Sequence, residues 1–304
     1  MNILITGGTG FLGSYLAREL ASNNAIRIVS RGEMKGYLTS EDLERFKFTE
    51  CDIRNKRALS DALSPDIDLV IHCAGKISIQ NSGRCPGDII ETNVNSTIHL
   101  IEAMIDKGIQ RLLFCSSMTV YGLENVSPVK EDGVLKPIHF YGLSKKWAEE
   151  AIMRYTQKGL IKALIIRYPG LYGYPRGSGY IFNISKKLLR KEPIDINTQG
   201  LKFWETLNIK DAVEITKKIL DIWQGEEACD VINCSYGRET DFVGTAFLLK
   251  EILNSRSVIK AREPLDYVKF YIDNTKLKSL IEFNYNFEEG LRIFLNEHKE
   301  WIQK

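Results

Sequence analysis

Three side chains of this chain could together move a proton and hold an alcohol or carbonyl oxygen. Tyr141 and Lys145 form a Y-x-x-x-K pair, and Ser117 closes the run Phe114-Cys115-Ser116-Ser117. A free phenol titrates near about 10, too high for acid–base work at neutral pH. A neighbouring Lys ammonium stabilises phenolate, each pKa unit being worth about 1.4 kcal/mol. A serine hydroxyl can hold the substrate oxygen while a nicotinamide exchanges hydride. With thirteen tyrosines in the chain, about one such pair is expected by chance, so position has to carry the argument. The pair opens a predicted helix, where residues i and i+4 share a face. Ser116-Ser117 lies just past a predicted strand, at the edge where open α/β sheets bind ligands. Taken singly, each residue has a plainer role: Tyr141 on an amphipathic helix, Lys145 as a solvated charge, Ser117 as a strand-end cap.

A glycine loop, Gly7-Gly8-Thr9-Gly10-Phe11-Leu12-Gly13, follows the first apolar run. It reads as G-x-G-x-x-G from Gly8 and as G-x-x-G-x-x-G from Gly7. Glycines permit the tight turn and the close approach of a pyrophosphate to a helix N-terminus. The setting between a strand and a helix supports a dinucleotide over a merely flexible turn. About 20 residues further on, an acid accepts from the ribose of NAD, whereas an Arg suits the 2′-phosphate of NADP. Here Ser30-Arg31 stands there, with no acid until Glu33. A guanidinium clamps phosphate bidentately, so NADP(H) is favoured, with NAD(H) as the alternative.

The elements that must position these groups alternate. Strand-like runs are expected at 2–6, 25–30, 46–51, 68–73, 111–115 and 161–167. Helices are expected at 12–22, 88–107 (ended by Gly108) and 141–158 (ended by Gly159). Apolar strands separated by helices of this length indicate an α/β fold: a Rossmann-type, doubly wound parallel sheet. Residues 169–180 hold two Pro, four Gly and three Tyr, which is loop composition. The division expected is a dinucleotide-binding domain at 1–168, with a return segment near 205–235. Residues 169–304 form a smaller, mainly substrate-binding lobe, with helices near 180–191, 209–223, 242–254 and 287–298.

Composition narrows the classes. At 304 residues, 44% hydrophobic and 26% charged, the chain is neither disordered nor a small disulfide scaffold. Forty-one basic against 39 acidic residues leave no basic excess for nucleic acid. No apolar run approaches the length of a membrane helix, and the start does not read as a secretory signal. Six scattered cysteines and four histidines show neither C-x-x-C nor metal-ligand spacing, so a cytoplasmic location and no metal are expected.

At this point the chain resembles the extended short-chain dehydrogenase/reductases, the group of UDP-galactose 4-epimerase, nucleotide-sugar dehydratases and 4-keto-sugar reductases. The likeness rests on residues 7–13, Cys51-Asp52-Ile53, His72-Cys73-Ala74-Gly75, Asn93-Val94, the block 114–122, Tyr141-Gly142-Leu143-Ser144-Lys145 and the block 167–173. Leu207-Asn208-Ile209-Lys210-Asp211 and Val231-Ile232-Asn233 extend it. The resemblance implies a Ser117, Tyr141, Lys145 triad, with Lys145 also on the nicotinamide ribose. It implies a cofactor site built from Gly7, Gly10, Phe11, Leu12, Gly13, Ser30, Arg31, Asp52 (on adenine), Ile53, Cys73, Ala74, Gly75, Lys76, Asn93, Cys115, Tyr168 and Gly170. Substrate contacts implied are Ser117, Met118, Thr119, Tyr141, Asn183 and Arg262. A homodimer through helices 88–107 and 141–158 is implied as well.

Two departures narrow the reading. Many relatives carry Arg-Asp before the segment matching Leu207-Asn208, and that Arg grips the substrate diphosphate. Here Trp204-Glu205 stands there, leaving Arg262, Lys202 or Arg176. Met118-Thr119 replaces the acidic or Asp-Lys pair of the 4,6-dehydratases, which argues against elimination. The segment 30–35 resembles the 2′-phosphate loop of some NADP-holding dehydratases, a cofactor signal only. The first expectation is therefore an NADP(H)-dependent reductase of a 4-keto nucleotide sugar. The alternative is a nucleotide-sugar 4-epimerase with tightly bound NAD. A non-catalytic dinucleotide sensor is the remote third, since such proteins commonly lose the tyrosine or lysine.

Overall fold

The computed structural model describes residues 1–32, 37–77, 86–122, 124–197, 205–225, 227–262 and 270–303. In chain order its elements are β1 (Asn2–Thr6), α1 (Phe11–Leu20), β2 (Ala25–Ser30), α2 (Ser40–Arg45), β3 (Lys47–Glu50), α3 (Lys56–Ala62) and β4 (Leu69–His72). There follow α4 (Gly87–Ile90), a π turn (Glu91–Asn95), α5 (Ser96–Asp106), β5 (Arg111–Ser117), α6 (Phe140–Gln157) and β6 (Lys162–Tyr168). The remainder holds β7 (Gly170–Tyr172), α7 (Tyr180–Leu189), β8 (Ile194–Asn197), β9 (Thr206–Asn208), α8 (Ile209–Ile222) and β10 (Cys229–Asn233). It ends with α9 (Phe242–Ile252), β11 (Ile259–Arg262), α10 (Thr275–Leu280) and α11 (Phe287–Gln303).

Seven strands form one sheet in the order β10-β6-β5-β4-β1-β2-β3, and every pairing from β3 through β5 is parallel. The strand sequences dictate this. Ile3, Leu4 and Ile5 of β1, Leu69, Val70 and Ile71 of β4, and Leu112, Leu113 and Phe114 of β5 are all 0% exposed. Strands apolar on both faces need helices on both faces. On one face Leu4, Val70, Leu112, Phe114 and Ile165 pack with Leu100, Met104, Ala148 and Ile152. Each fully buried Leu, Ile or Phe contributes about 1.5–3 kcal/mol. The strand order reverses between β1 and β4, the switch point where such sheets open a crevice at their carboxyl ends.

The expected long helix at 88–107 is interrupted. Its first half carries a π turn over Glu91–Asn95 before α5 resumes, a local widening that often marks functional sites. Helical periodicity gives no warning of it.

The chain divides into two compact units. The first comprises 1–125, 132–167 and 213–232; the second comprises 126–131, 168–212 and 233–304. The short segment 126–131 joins the second unit through Val129, which exchanges backbone bonds with Tyr271 and Asp273 at 3.0 and 2.8 Å. The second unit also holds the parallel pairs β7 with β9 and β8 with β11, short strands that its loop-like composition concealed. Among the described residues no helix is long and apolar enough to cross a membrane, and no group of three or more potential ligands could hold a metal ion.

Glu205 lies in the second unit, 1% exposed. Its Oε2 accepts from Ile272 N at 2.8 Å, while Oε1 has no hydrogen-bond partner among the described residues. Burial pushes this carboxyl up to about 8. The folded state thus holds a proton that the unfolded chain releases near its ordinary value, and stability falls as pH rises between those limits. The urea midpoint of the wild type should drop between about pH 5 and about pH 8, and Glu205→Gln should flatten that drop. An identical slope in the variant would contradict the assignment.

Candidate active site

The loop after β1 is packed tightly on itself. Gly7 takes φ 69°, and a Cβ there would meet the Ala74 backbone at 2.7 Å. A Cβ on Gly13 would lie 2.4 Å from Gly7 O. Gly7 N donates to Val29 O at 2.8 Å, and Gly10 N to Gly7 O at 2.9 Å. Glycines are therefore required here by contact as well as by backbone angle. Helix α1 begins after Gly10 with no side chain capping it. Its first N–H groups, beside Phe11 and Leu12, are left for an anion, as a bound pyrophosphate requires. This uncapped terminus and glycine packing fit a dinucleotide.

At the adenosine end the geometry changes the reading of Arg31. Asp52 pairs with Arg54 at 2.6 Å, and Arg54 also reaches Asp88 at 3.2 Å. The Arg54 hydrogen bonds hold the Asp52 carboxyl below its usual range, with Arg31 adding to the effect. Lys76 and then Arg54 and Arg31 do the same for Asp88. Arg31 therefore stands among carboxylates. A further acid comes from β3. Glu50 pairs in register with Ser30, and its carboxylate lies 2.8 Å from where a Cβ on Gly32 would sit. Ser30 itself shares a hydrogen bond with Thr9 of the glycine loop at 2.5 Å. Ile53 is 6% exposed, its side chain in the apolar cluster. Glu33, Met34 and Lys35 lie outside the described residues.

Between β4 and α6 the organiser is Asn93, 2% exposed in the π turn. Its Oδ1 accepts from Lys76 N at 2.7 Å, and its Nδ2 donates to Lys76 O at 3.0 Å and to Ser144 Oγ at 2.9 Å. Those bonds tie the loop Gly75-Lys76 to the first turn of α6. A Cβ on Gly75 would come within 3.6 Å of Lys145 Nζ. Behind the loop, His72 is 1% exposed, bonded to Thr6 at 2.6 Å and Thr97 at 3.0 Å. Burial lowers it to about 3, so it acts as a neutral strut.

Ser117 ends β5 in extended conformation. Its Oγ accepts from Thr119 N at 3.2 Å and from the Thr119 hydroxyl at 3.0 Å. Its own proton remains for an oxygen in front of it, and the Ser117 hydroxyl works to lower the Tyr141 pKa. Met118 is 9% exposed behind this turn. Helix α6 opens with His139, whose Nδ1 accepts from Gly142 N at 3.0 Å. Tyr141 and Lys145 follow one turn apart, 9% and 5% exposed. Lys145 Nζ donates to Cys115 O at 2.8 Å and lies 4.6 Å from the Phe114 ring centroid.

The electrostatics correct one expectation. Burial pushes the Tyr141 phenol up to about 12, against the Ser117 hydrogen bond. Burial also pulls the Lys145 ammonium down. Desolvation thus outweighs the Ser117 hydroxyl's help to phenolate in the chain alone. Below these residues Glu149 and Arg167, 0% and 1% exposed, form a bidentate pair at 3.1 and 2.7 Å. Ser116 donates to Glu149, and Arg167 reaches Tyr121 Oη at 2.8 Å. Burial works against the guanidinium's charge, but Glu149 more than offsets it and raises the Arg167 pKa. Removing either partner would strand a buried charge, at about 3–5 kcal/mol.

Of the remaining expected positions, Tyr168 is 3% exposed at the end of β6. Gly170 opens β7, its N–H on Glu205 O at 3.0 Å. Asn183 is exposed on α7. Arg176 donates to Leu171 O at 2.9 Å. Arg262 ends β11, its side chain outside what is described, as are Lys202 and Trp204.

Sequence reasoning gave no role to Gly142, Glu50, Glu149 or Arg167. A Cβ on Gly142 would lie 2.2 Å from Thr119 O, so the serine turn and α6 touch backbone to backbone. The motif Tyr141-Gly142 held that signal. Gly142→Ala should displace the first turn of α6 and lower turnover about a hundredfold, with the far-UV circular dichroism unchanged. Wild-type turnover would contradict the contact.

The NAD dependent epimerase/dehydratase family matches residues 3–235. Among the most similar relatives, a Methanocaldococcus jannaschii protein named "Putative UDP-glucose 4-epimerase" is 32% identical over 91% of this chain and 92% of its own. The Thermotoga maritima UDP-glucose 4-epimerase, solved with UDP-glucose, is 25% identical with TM-score 0.85, covering 99% of this chain and all of its own. The Bacillus cereus UDP-glucuronic acid 4-epimerase, solved with UDP-glucuronic acid and NAD, gives the same identity, TM-score and coverage. The preference for NADP(H) draws no support from a family described as NAD dependent, nor does a 4-keto reductase from relatives named as 4-epimerases. By this match over most of its length, the chain belongs to the NAD-dependent epimerase/dehydratase family.

Proposed function

We propose that the chain is a 4-epimerase of UDP-activated hexoses with NAD retained in the crevice. The observation that carries it is the joining of an intact Ser117, Tyr141, Lys145 set to the glycine loop on one sheet edge. The 4-epimerase relatives support the choice of reaction. When bound, NAD supplies the reversible hydride acceptor at C4 of the sugar.

The residues divide the remaining work. Ser117 donates its free proton to the C4 oxygen, fixed by the two bonds from Thr119. Tyr141 takes the hydroxyl proton as C4 is oxidised and returns it after the keto sugar has turned its other face. No net redox change results. In the chain alone burial holds Tyr141 neutral, and positive charge beside it would favour the phenolate. Lys145, anchored on Cys115 O, is the chain's own cation nearest that position along α6. Glu50 and Asp52 around Arg31 support NAD over NADP, because a 2′-phosphate would meet two carboxylates. Asn93 acts on the cofactor through Gly75-Lys76. Asn183 and Arg262 are proposed sugar-nucleotide contacts. A homodimer through α5 and α6 belongs to the same proposal, supported by Trp147, 38% exposed on α6.

Purified protein given UDP-galactose without added cofactor should form UDP-glucose, followed by chromatography, with UDP-glucuronic acid run in parallel. Tyr141→Phe should lower turnover by about 10²–10⁴-fold. Wild-type turnover in the variant would remove Tyr141 from its role. Absence of C4 inversion with either sugar nucleotide would overturn the proposed reaction.

A further inference from the structure

Two cysteines lie beside the switch point, at the ends of the neighbouring strands β4 and β5. Cys73 follows β4 and Cys115 lies in β5. The two strands pair in parallel up to His72 and Phe114, so the cysteines are the next lateral neighbours. Their sulfurs are 3.3 Å apart. Adjacent strands run about 4.8 Å apart, within the Cα separations a disulfide spans. Closing the bond requires the sulfurs to move together to about 2.05 Å. Both are free thiols, Cys115 buried and Cys73 partly accessible.

We propose that Cys73 and Cys115 form a dithiol that hydrogen peroxide oxidises to a disulfide, disabling the dinucleotide crevice. In the first step the Cys73 sulfur attacks peroxide. An S–O bond forms, the O–O bond breaks, and the thiol proton leaves with the departing oxygen as water. In the second step the Cys115 sulfur attacks that sulfenic sulfur. The S–S bond forms, the S–O bond breaks, and a second water leaves with the Cys115 proton. Two thiols lose two electrons and two protons, and one peroxide becomes two waters.

The consequences follow from what each cysteine touches. The Cys115 carbonyl anchors the Lys145 ammonium. The Cys73 carbonyl carbon lies 3.0 Å from where a Cβ on Gly7 would sit, against the glycine loop. Contraction between the two draws on both the lysine anchor and the loop's support. The resting pair reacts slowly, so oxidation needs peroxide in excess. The hydrogen bond with Cys115, and then burial, hold the Cys73 thiol well above its ordinary range, while Lys145 works the other way. Thiol buffering keeps such a pair reduced, and oxidant in excess closes it.

The test uses the reduced full chain, treated with graded hydrogen peroxide, quenched with catalase, alkylated and digested. Expected is a Cys73–Cys115 linked peptide lighter by two hydrogens. Its fraction should track loss of NAD retained through gel filtration, and dithiothreitol should restore both. In Cys73→Ala the link and the reversible loss should vanish together; Cys115→Ala serves should the first variant not fold. Separately overoxidised thiols without the link would overturn the proposal. So would a link that leaves NAD retention unchanged, or a reversible loss that persists in Cys73→Ala.

Discussion

The buried pair of Arg167 and Glu149 is the constraint on which the site's geometry rests. One charge comes from β6 and the other from α6, both sealed from water. Two buried charges hold each other only in good geometry with their other bonds satisfied. Ser116 on β5 and Tyr121 in the following turn join that set. The network therefore fixes α6 against the end of β5, and two of the proposed catalytic residues are its immediate neighbours. Ser117 is next to Ser116, and Lys145 lies one helical turn before Glu149. What the pair costs in desolvation returns as a fixed distance between strand and helix.

Around that joint, backbone contacts replace side-chain packing where tolerances are smallest. Gly142 lets α6 meet the Thr119 carbonyl, and Gly7 lets the first turn meet Ala74. Asn93 spends its amide on a loop and a helix at once, and the π turn is what brings it there. These contacts are short and directional. They suit the proposed reaction, in which a hydroxyl and a phenol would face the same sugar oxygen twice per turnover, once in each direction.

Much of this was legible in the chain. The alternation of apolar strands with helices, the glycine loop between the first strand and helix, and the serine followed by Tyr141 and Lys145 each declare themselves by position. What escaped was carried by register and burial. Ser30-Arg31 suggested a phosphate clamp because β2 was read alone. The pairing with β3 brings Glu50 beside it, which no spacing in one strand reveals. Lys145 was expected to pull Tyr141 down, whereas desolvation, a property of the packed site, pushes it up. The π turn changes a helix's pitch without changing its apolar rhythm. The choice between reductase and epimerase lay outside the motif, since both proposed reactions would use the same three residues.

Cofactor retention separates those two chemistries most directly. The purified chain can be denatured, its released nucleotide identified by chromatography, and the native protein challenged with added NADPH. One NAD per chain that does not exchange is expected. Protein that emerges empty and binds NADPH reversibly would contradict it.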